Sequence, residues 1–226
     1  ESEQLSNHIT CIWIHKTKKI FKECYIFGIC TMDSFTSSLY INEYELPYYH
    51  NPTTYDEIEK HISIYNPIEL IIIHNIEEEN IKSILNFIHH KSRKVQLIST
   101  LEENTISKQA QKCEEQCYQQ ELIEHFYPHL EYNHMKSYLF EHIISFQCFC
   151  FLLNYMEQHN PDLTKHLSEP HIENESKRLI LANHSLKQLN ILNNEQGEHE
   201  KYSSIMSLFN ICKTKMGKRL FQYNLV

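Results

Sequence analysis

The N-terminal part of the chain contains three short segments rich in β-branched and aromatic residues. They are Ile9–Ile14, Cys24–Cys30 and Ser38–Tyr44, and their composition is typical of β-strands. A lysine-rich connection separates the first two segments, and a short polar segment separates the last two. Successive strands with short connections predict an antiparallel meander.

From Thr54 onward, helical periodicity alternates with apolar runs. Thr54 and Glu57 have the spacing of a capping box at the start of a helix. Pro67–Ile73 is a nearly continuous apolar run, as in a strand buried on both faces of a parallel sheet. The apolar positions that share one face of the predicted helix are Ile58, Ile62 and Tyr65.

A second helix and strand follow the same pattern. Glu77–Glu79 place negative charge at the start of a helix. Lys94–Ile98 predicts a fifth strand, and Ser107–His125 predicts a more polar helical stretch. The buried stripe of the helix is predicted to be Ile81, Ile84, Leu85 and Ile88. Three meander strands followed by αβαβα predict one α/β domain over residues 1–130.

Met135–His159 predicts a long helix with apolar residues on nearly every side. Its richest window, Ile143–Met156, falls short of the roughly 20 apolar residues that a membrane span requires. We therefore expect a core helix without membrane association, which ends at Asn160 and Pro161. Residues 131–226 are predicted to form a second, all-α segment.

The last residues predict a helix, a turn and a second apolar run. The helix begins near Ile205, the turn covers Lys213–Gly217, and the apolar run resumes at Leu220. In that turn, Gly217 is expected either to need a positive φ or to let another helix approach closely. A second helix of about two turns is too short to be stable alone. We therefore expect the chain to be part of a longer protein.

The glycine content limits the chemistry of the chain. Its 226 residues are 41% hydrophobic and 22% charged, which is ordinary for a globular protein. The three glycines are Gly28, Gly197 and Gly217. A phosphate-binding loop needs two closely spaced glycines so that the backbone can surround the phosphates. We therefore expect no nucleotide-binding loop in this chain and assign no cofactor-binding residue.

The formal net charge of −8 opposes independent DNA binding, because phosphate neutralisation supplies most of that affinity. Two clusters each contain four cationic residues, and both are interpreted as solvated loops or helix ends. They are Lys16, Lys18, Lys19 and Lys22 in one cluster, and Lys213, Lys215, Lys218 and Arg219 in the other.

The eight cysteines show no disulfide framework. Cys113 with Cys117, and Cys148 with Cys150, lack the C-x-x-C spacing of structural zinc sites. We assign no metal ligand and expect a reducing, intracellular compartment.

A nuclease site would need carboxylates that hold two metal ions about 3.5–4 Å apart. Asp33 follows the second predicted strand, and Glu43, Glu45 and Glu69 belong to other strands with no obvious convergence. We therefore interpret Asp33 as a turn residue and assign no catalytic residue.

Several motifs together resemble the MutS family of DNA mismatch-repair proteins. In that family a Leu-Leu-Asp and a Thr-x-x-Gly-x-Arg-Leu-Leu pattern mark the start of the lever domain. The residues that resemble it are Leu208, Phe209, Asn210, Thr214, Met216, Gly217, Arg219, Leu220 and Phe221. Leu179–Leu181 and Ser185–Ile191 are similar to the segment before it. Asn190, Asn210 and Asn224 depart from the Glu, Asp and Trp of the family pattern.

The N-terminal half resembles the family's connector domain. Gly28, Asp33 and Thr36 match a G-x-x-x-x-D-x-x-T-G segment, with Ser37 in place of the second glycine. Pro67–Ile71 is similar to a P-x-E-[IL]-[IL] segment. Phe21–Glu23 also matches the Phe-x-Glu signature of the mismatch-reading domain. We interpret that match as a coincidence, because it lies in the lysine-rich connection.

The resemblance implies a ribonuclease H-like connector domain over residues 1–130 and the start of the lever domain over residues 131–226. It implies a non-catalytic region that couples mismatch recognition to an ATPase and offers a surface to a MutL-type partner. The parent would be a dimer that binds mismatched DNA and uses ATP and magnesium, with its motor domain outside this chain. A stand-alone ribonuclease H-like adaptor and an active nuclease remain alternatives.

Overall fold

The computed structural model describes residues 7–19, 22–47, 55–88, 92, 94–128, 141–165, 167–172, 188–191 and 204–225. The strands in these ranges are β1 (His8–Lys19), β2 (Lys22–Asp33), β3 (Leu39–Pro47), β4 (Glu69–His74), β5 (Lys94–Ser99) and β6 (His171–Ile172). The helices are α1 (Asp56–Tyr65), α2 (Glu78–Ile88), α3 (Thr105–Lys112), α4 (Gln116–Phe126), α5 (Ile143–His159), α6 (Pro161–Thr164), α7 (Ile205–Phe209) and α8 (Lys215–Leu225).

The strands form one mixed sheet in the order β5-β4-β1-β2-β3-β6. β1, β2 and β3 pair in antiparallel fashion, which confirms the predicted meander. β4 is parallel to β1, and β5 is parallel to β4; α1 precedes β4, and α2 carries the chain back across the sheet between β4 and β5. β6 was not predicted, and it pairs in parallel with β3 at the far edge, so the expectation that residues 131–226 are all-α is wrong at His171–Ile172.

The two faces of the sheet are covered by different helices, because successive strand side chains point to opposite faces. On one face, Ile12, Phe27 and Ile72 pack in a core with residues of α1 and α2. On the other face, Trp13 and Ile71 pack in a core with residues of α3, α4 and α5. The α/β domain predicted from the hydrophobic pattern is therefore present.

The predicted core helix is confirmed as α5 from Ile143 onward, but its predicted start is wrong, because the non-helical backbone of His142 (φ −128°, ψ 66°) interrupts the expected Met135–His159 helix. Every residue from Ile144 to Met156 is buried, since the helix lies on the sheet and contacts α3, α4 and α6. The helix ends before Asn160 and Pro161 as predicted, whereas residues 135–140 lie outside the described ranges. Although α5 follows residue 130, it shares the core of the sheet, and the division of the chain at that residue stays a prediction. In the described part of the chain, no helix has both the length and the apolar character needed to cross a membrane.

Three expected boundaries are wrong in detail. The lysine-rich connection is largely strand, because β1 continues to Lys19 and pairs residue by residue with β2. The residue that precedes α1 is Tyr55, which makes no side-chain capping bond, and Thr54 lies outside the described residues. The polar helical stretch consists of two helices, α3 and α4.

The expectation for Gly217 is also wrong. Gly217 lies in the first turn of α8 without a positive φ. A Cβ at this position would lie 3.0 Å from Thr214 Oγ1 and 3.2 Å from Cys212 Cβ, so its nearest neighbours precede the helix and belong to no other helix. The Gly217 N–H donates to Thr214 Oγ1 at 3.1 Å, and this bond lets the helix start before the glycine.

Candidate functional site

Asp33 ends β2 and shapes the turn to β3. Its Oδ1 accepts hydrogen bonds from the backbone N–H groups of Phe35 at 2.8 Å and Thr36 at 3.3 Å. Ser37, which stands where the resembled motif has its second glycine, has a φ of 54°. Glycine adopts that left-handed conformation without steric cost, which explains the glycine in the motif. The interpretation of Asp33 as a turn residue is confirmed.

Glu43 lies on β3 and binds the start of α5. Its Oε2 accepts a hydrogen bond from the Ser145 backbone N–H at 2.7 Å, and its Oε1 lies 3.9 Å from His142 Nδ1. Burial raises the pKa of the Glu43 carboxyl, while the Ser145 hydrogen bond and His142 act in the opposite direction. A carboxylate here satisfies an N–H group that has no partner inside the helix.

Glu69 starts β4 and is tied to the end of α5. The Tyr155 hydroxyl donates to Glu69 Oε1 at 2.5 Å, and Lys94 Nζ forms an ion pair with the same oxygen. Lys94 Nζ also lies 2.9 Å from the Tyr155 hydroxyl. The Glu69 hydrogen bond raises the pKa of Lys94.

The structure does not bring these carboxylates together. Glu43 and Glu69 contact opposite ends of α5, and their strands are three intervals apart in the sheet. At about 4.8 Å per interval the separation is about 14 Å, far beyond the reach of a two-metal centre. Asp33 lies beside His8, which packs on Tyr65 of α1. Within the described residues, no group of three or more His, Cys, Asp or Glu side chains is placed to hold a metal ion.

A polar junction forms where β1 begins, β2 ends and α8 meets the domain. We define it as Asn7, His8, Asp33 and Arg219. Arg219 Nη1 donates to Asn7 Oδ1 at 2.9 Å, and Asn7 Nδ2 donates to Asp33 Oδ1. Asn7 is 4% exposed, so its side-chain amide depends on these partners in place of water. One buried amide therefore joins α8 to the Asp33 turn.

His8 is the titratable ring of the polar junction. Its Nε2 lies 4.0 Å from Asp33 Oδ2, and its ring packs edge-on against Tyr65 at 5.3 Å. Burial lowers the pKa of His8, Asp33 raises it, and Arg219 lowers it again. The net direction is downward, so His8 is neutral at neutral pH and does not repel Arg219.

A buried polar chain lies on the same face of the sheet. The Thr10 and Thr31 hydroxyl oxygens are 2.8 Å apart, and Thr31 Oγ1 is 2.8 Å from His61 Nε2. Burial lowers the pKa of His61 to about 3, and His8 and Lys60 add to this effect. The neutral imidazole of α1 thereby joins the two central strands.

The two basic clusters are not equivalent surfaces. Lys16 forms a 3.1 Å ion pair with Glu23 across the β1–β2 hairpin. In the second cluster, Lys213, Lys215 and Lys218 are exposed, whereas Arg219 is half-buried and donates to Asn7. No local sequence pattern predicts the hydrogen bond of Arg219 to Asn7. Phe21 of the Phe-x-Glu match lies outside the described residues.

Five of the eight cysteines belong to the hydrophobic core. The structure describes all eight as free thiols, and the five buried ones pack between the sheet and α5. Cys148 Sγ donates to the Cys11 carbonyl at 3.0 Å. Burial raises the pKa of Cys113 to about 12. The interpretation of Cys148 and Cys150 as small apolar core residues is confirmed.

Comparison with known proteins gives a consistent result. The family model described as MutS domain II matches residues 7–168. A DNA mismatch repair protein mutS homolog, L359 of Acanthamoeba polyphaga mimivirus, is 25% identical over 99% of this chain, which spans 22% of that relative's length. The Fowlpox virus resolvase, solved with its Holliday junction DNA substrate, aligns with a TM-score of 0.36 and 15% identity over 66% of this chain and 99% of that one. A TM-score of 0.36 supports no argument about fold or function. Of the residues in the polar junction, Arg219 lies beyond the matched range, and Asn7, His8 and Asp33 lie within it.

Proposed function

The chain belongs to the MutS family, with residues 7–168 forming its connector region, and we propose that this region couples mismatch recognition to ATP hydrolysis in a longer parent. The chain spans about a fifth (22%) of the length of the viral relative. Under this proposal, the mismatch-reading and motor domains lie in other parts of the parent, and ATP and magnesium bind there.

The observation that carries the proposal is that the chain beyond residue 168 returns to the connector region at two places. β6 pairs with β3, and the His171 ring stacks on Tyr40 at 5.5 Å. α8, which carries the lever-like motif, reaches the start of β1 through Arg219 and Asn7. Contacts at two points favour a shared movement of the connector and the lever segment.

We also propose that the connector region has a ribonuclease H-like fold without catalysis. The order β5-β4-β1-β2-β3, with β2 alone antiparallel to both of its neighbours, supports that fold. The roles of Glu43 and Glu69 in holding α5, and of Asp33 in shaping a turn, support a structural use of these carboxylates.

Family membership supports three further proposals about the parent. It binds mismatched DNA, it is a dimer, and its connector region meets a MutL-type protein. The eight free thiols support an intracellular, reducing compartment.

The proposal is tested by measuring ATP hydrolysis of the full-length parent and of a version in which a flexible linker replaces residues 7–168. Each is assayed without DNA, with a matched duplex and with a G·T-containing duplex. We expect the shortened protein to keep its basal hydrolysis and to lose its response to the mismatch. An unchanged mismatch response would contradict coupling and favour a stand-alone adaptor role.

A further inference from the structure

We propose that Asn7 is a relay that transmits the position of α8 to the Asp33 turn. This inference deepens the proposed coupling and rests on it for its biological role. It names a positioning residue, Asn7, and the two groups that it connects, the Arg219 guanidinium and the Asp33 carboxylate.

The first support is the way in which α8 is attached. Met216 and Leu220 of this helix are 75% and 62% exposed, whereas Phe221 and Leu225 are half-buried, and α8 makes no extensive packing contact with another described element. The hydrogen bond from Arg219 to Asn7 is a specific polar link between α8 and the connector region. A helix held by a polar bond can leave and return at lower cost than one held by a buried apolar face.

The second support is that both polar atoms of the Asn7 side chain are hydrogen-bonded. Its side-chain oxygen accepts from Arg219 and its side-chain nitrogen donates to Asp33, and its backbone carbonyl oxygen accepts from the Ser34 N–H at 2.9 Å. The accepting oxygen and the donating nitrogen belong to one planar amide group. If Arg219 withdraws, Asn7 must either leave a buried oxygen without a partner, which is costly, or rotate away from Asp33.

The third support is that Asp33 holds the backbone of the turn after β2. The oxygen that receives the Asn7 bond also accepts from the N–H groups of Phe35 and Thr36. A change at Asn7 therefore reaches the backbone of the turn in one step. That turn presents Phe35, which is 78% exposed, so its conformation can be sensed at the surface.

The relay is tested by hydrogen–deuterium exchange of the 226-residue chain, with peptides over residues 33–38 and 215–225. The variant is Arg219→Gln, and the matched control is Lys218→Gln, which removes one charge from the adjacent exposed position. Because a hydrogen bond to a charged group is lost, we expect exchange at Ser34 and Phe35 to rise about tenfold in Arg219→Gln. We expect no rise in Lys218→Gln. A β4 peptide monitors global stability.

The connection of Arg219 to the Asp33 turn through Asn7 is tested with Asn7→Ala and the double variant Asn7→Ala/Arg219→Gln. If Asn7 connects the other two residues, the double variant exchanges at residues 33–38 no faster than Asn7→Ala alone. Additive effects would overturn the relay. Faster exchange confined to residues 215–225 in Arg219→Gln would also overturn the relay. That result would show that Arg219 holds α8 in place without affecting the Asp33 turn. Because the experiment uses neither nucleotide nor DNA, its failure is distinguishable from a failure of the proposed coupling.

Discussion

Replacing Gly28 with alanine is expected to push the start of α5 away from the sheet. Gly28 lies on β2, opposite Trp13 on one side and Glu43 on the other. A Cβ at this position would lie 2.5 Å from three backbone atoms of α5, namely the Ile144 carbonyl carbon, the Ile144 oxygen and the Ser145 nitrogen. The close approach of helix to strand, and not a special φ, is what requires glycine here.

The expected cost follows from these distances. Ordinary contacts of a Cβ are 3.4–4 Å, so helix and strand must separate by about 1 Å. Overpacking of a core costs about 1–3 kcal/mol, and we expect about 3 kcal/mol because backbone atoms cannot rotate away. The shift would also strain the 2.7 Å bond from Ser145 to Glu43. For a chain of this size the melting temperature should fall by about 6–12 °C.

Thermal unfolding followed by circular dichroism measures this effect, and Gly217→Ala supplies the control. At Gly217 the new Cβ would meet the flexible Thr214 side chain at 3.0 Å, while alanine favours the helix by up to about 1 kcal/mol. Gly217→Ala should therefore stay within about 1 kcal/mol of the wild type. If Gly28→Ala melts as Gly217→Ala does, the proposed close packing of α5 on β2 is wrong.

Three further predictions concern pH, chemistry and DNA. Because the pKa of His61 is about 3 when folded and near 6.5 when unfolded, the unfolded chain binds the extra proton as the pH falls below about 6.5. Stability is then lost, and urea titrations should show about 2 kcal/mol more loss between about pH 7 and pH 5 for the wild type than for His61→Gln. The exposed-site control His125→Gln should behave as the wild type, and equal losses in all three would refute the assignment. The purified chain should neither hydrolyse ATP nor cleave nucleic acid with magnesium, and metal-dependent nicking abolished by Asp33→Asn would overturn this. Lys16 pairs with Glu23, and Arg219 donates to Asn7. Each cluster has three other cationic residues, and three phosphate contacts would give a slope of log affinity against log salt concentration of about −2.7 at most. Fluorescence anisotropy should therefore detect no duplex binding at about 150 mM salt, and sub-micromolar binding that prefers a G·T duplex would place a DNA-reading surface on this chain.

The order of the elements could be predicted because each element has its own hydrophobic period. Pro67–Ile73 has the continuous apolar run of a strand covered on both faces, and β4 is buried along nearly its whole length. The length of the β1–β2 hairpin was underestimated because lysines are poor strand formers. Cross-strand pairing of Lys16 with Glu23 stabilises them in place.

The polar junction could not be predicted, because its contacts join residues far apart in the chain. Asn7 and Arg219 are 212 positions apart, and neither has a local pattern that points to the other. Gly28 was assigned to a motif by resemblance, but the contact that requires a glycine there is with the backbone of Ile144, more than a hundred residues later. Gly217 was misassigned because Thr214 caps the helix earlier than the lysine-rich turn suggested.

The measurement that tests the central claim most directly is ATP hydrolysis by the full-length parent carrying Arg219→Gln, with Lys218→Gln as control. Rates are compared without DNA, with a matched duplex and with a G·T-containing duplex. If the connector and the lever segment communicate through the polar junction, Arg219→Gln retains basal hydrolysis but loses most of the difference between the two duplexes, whereas Lys218→Gln retains it. An Arg219→Gln protein that responds to the mismatch as fully as the control would contradict coupling through this contact.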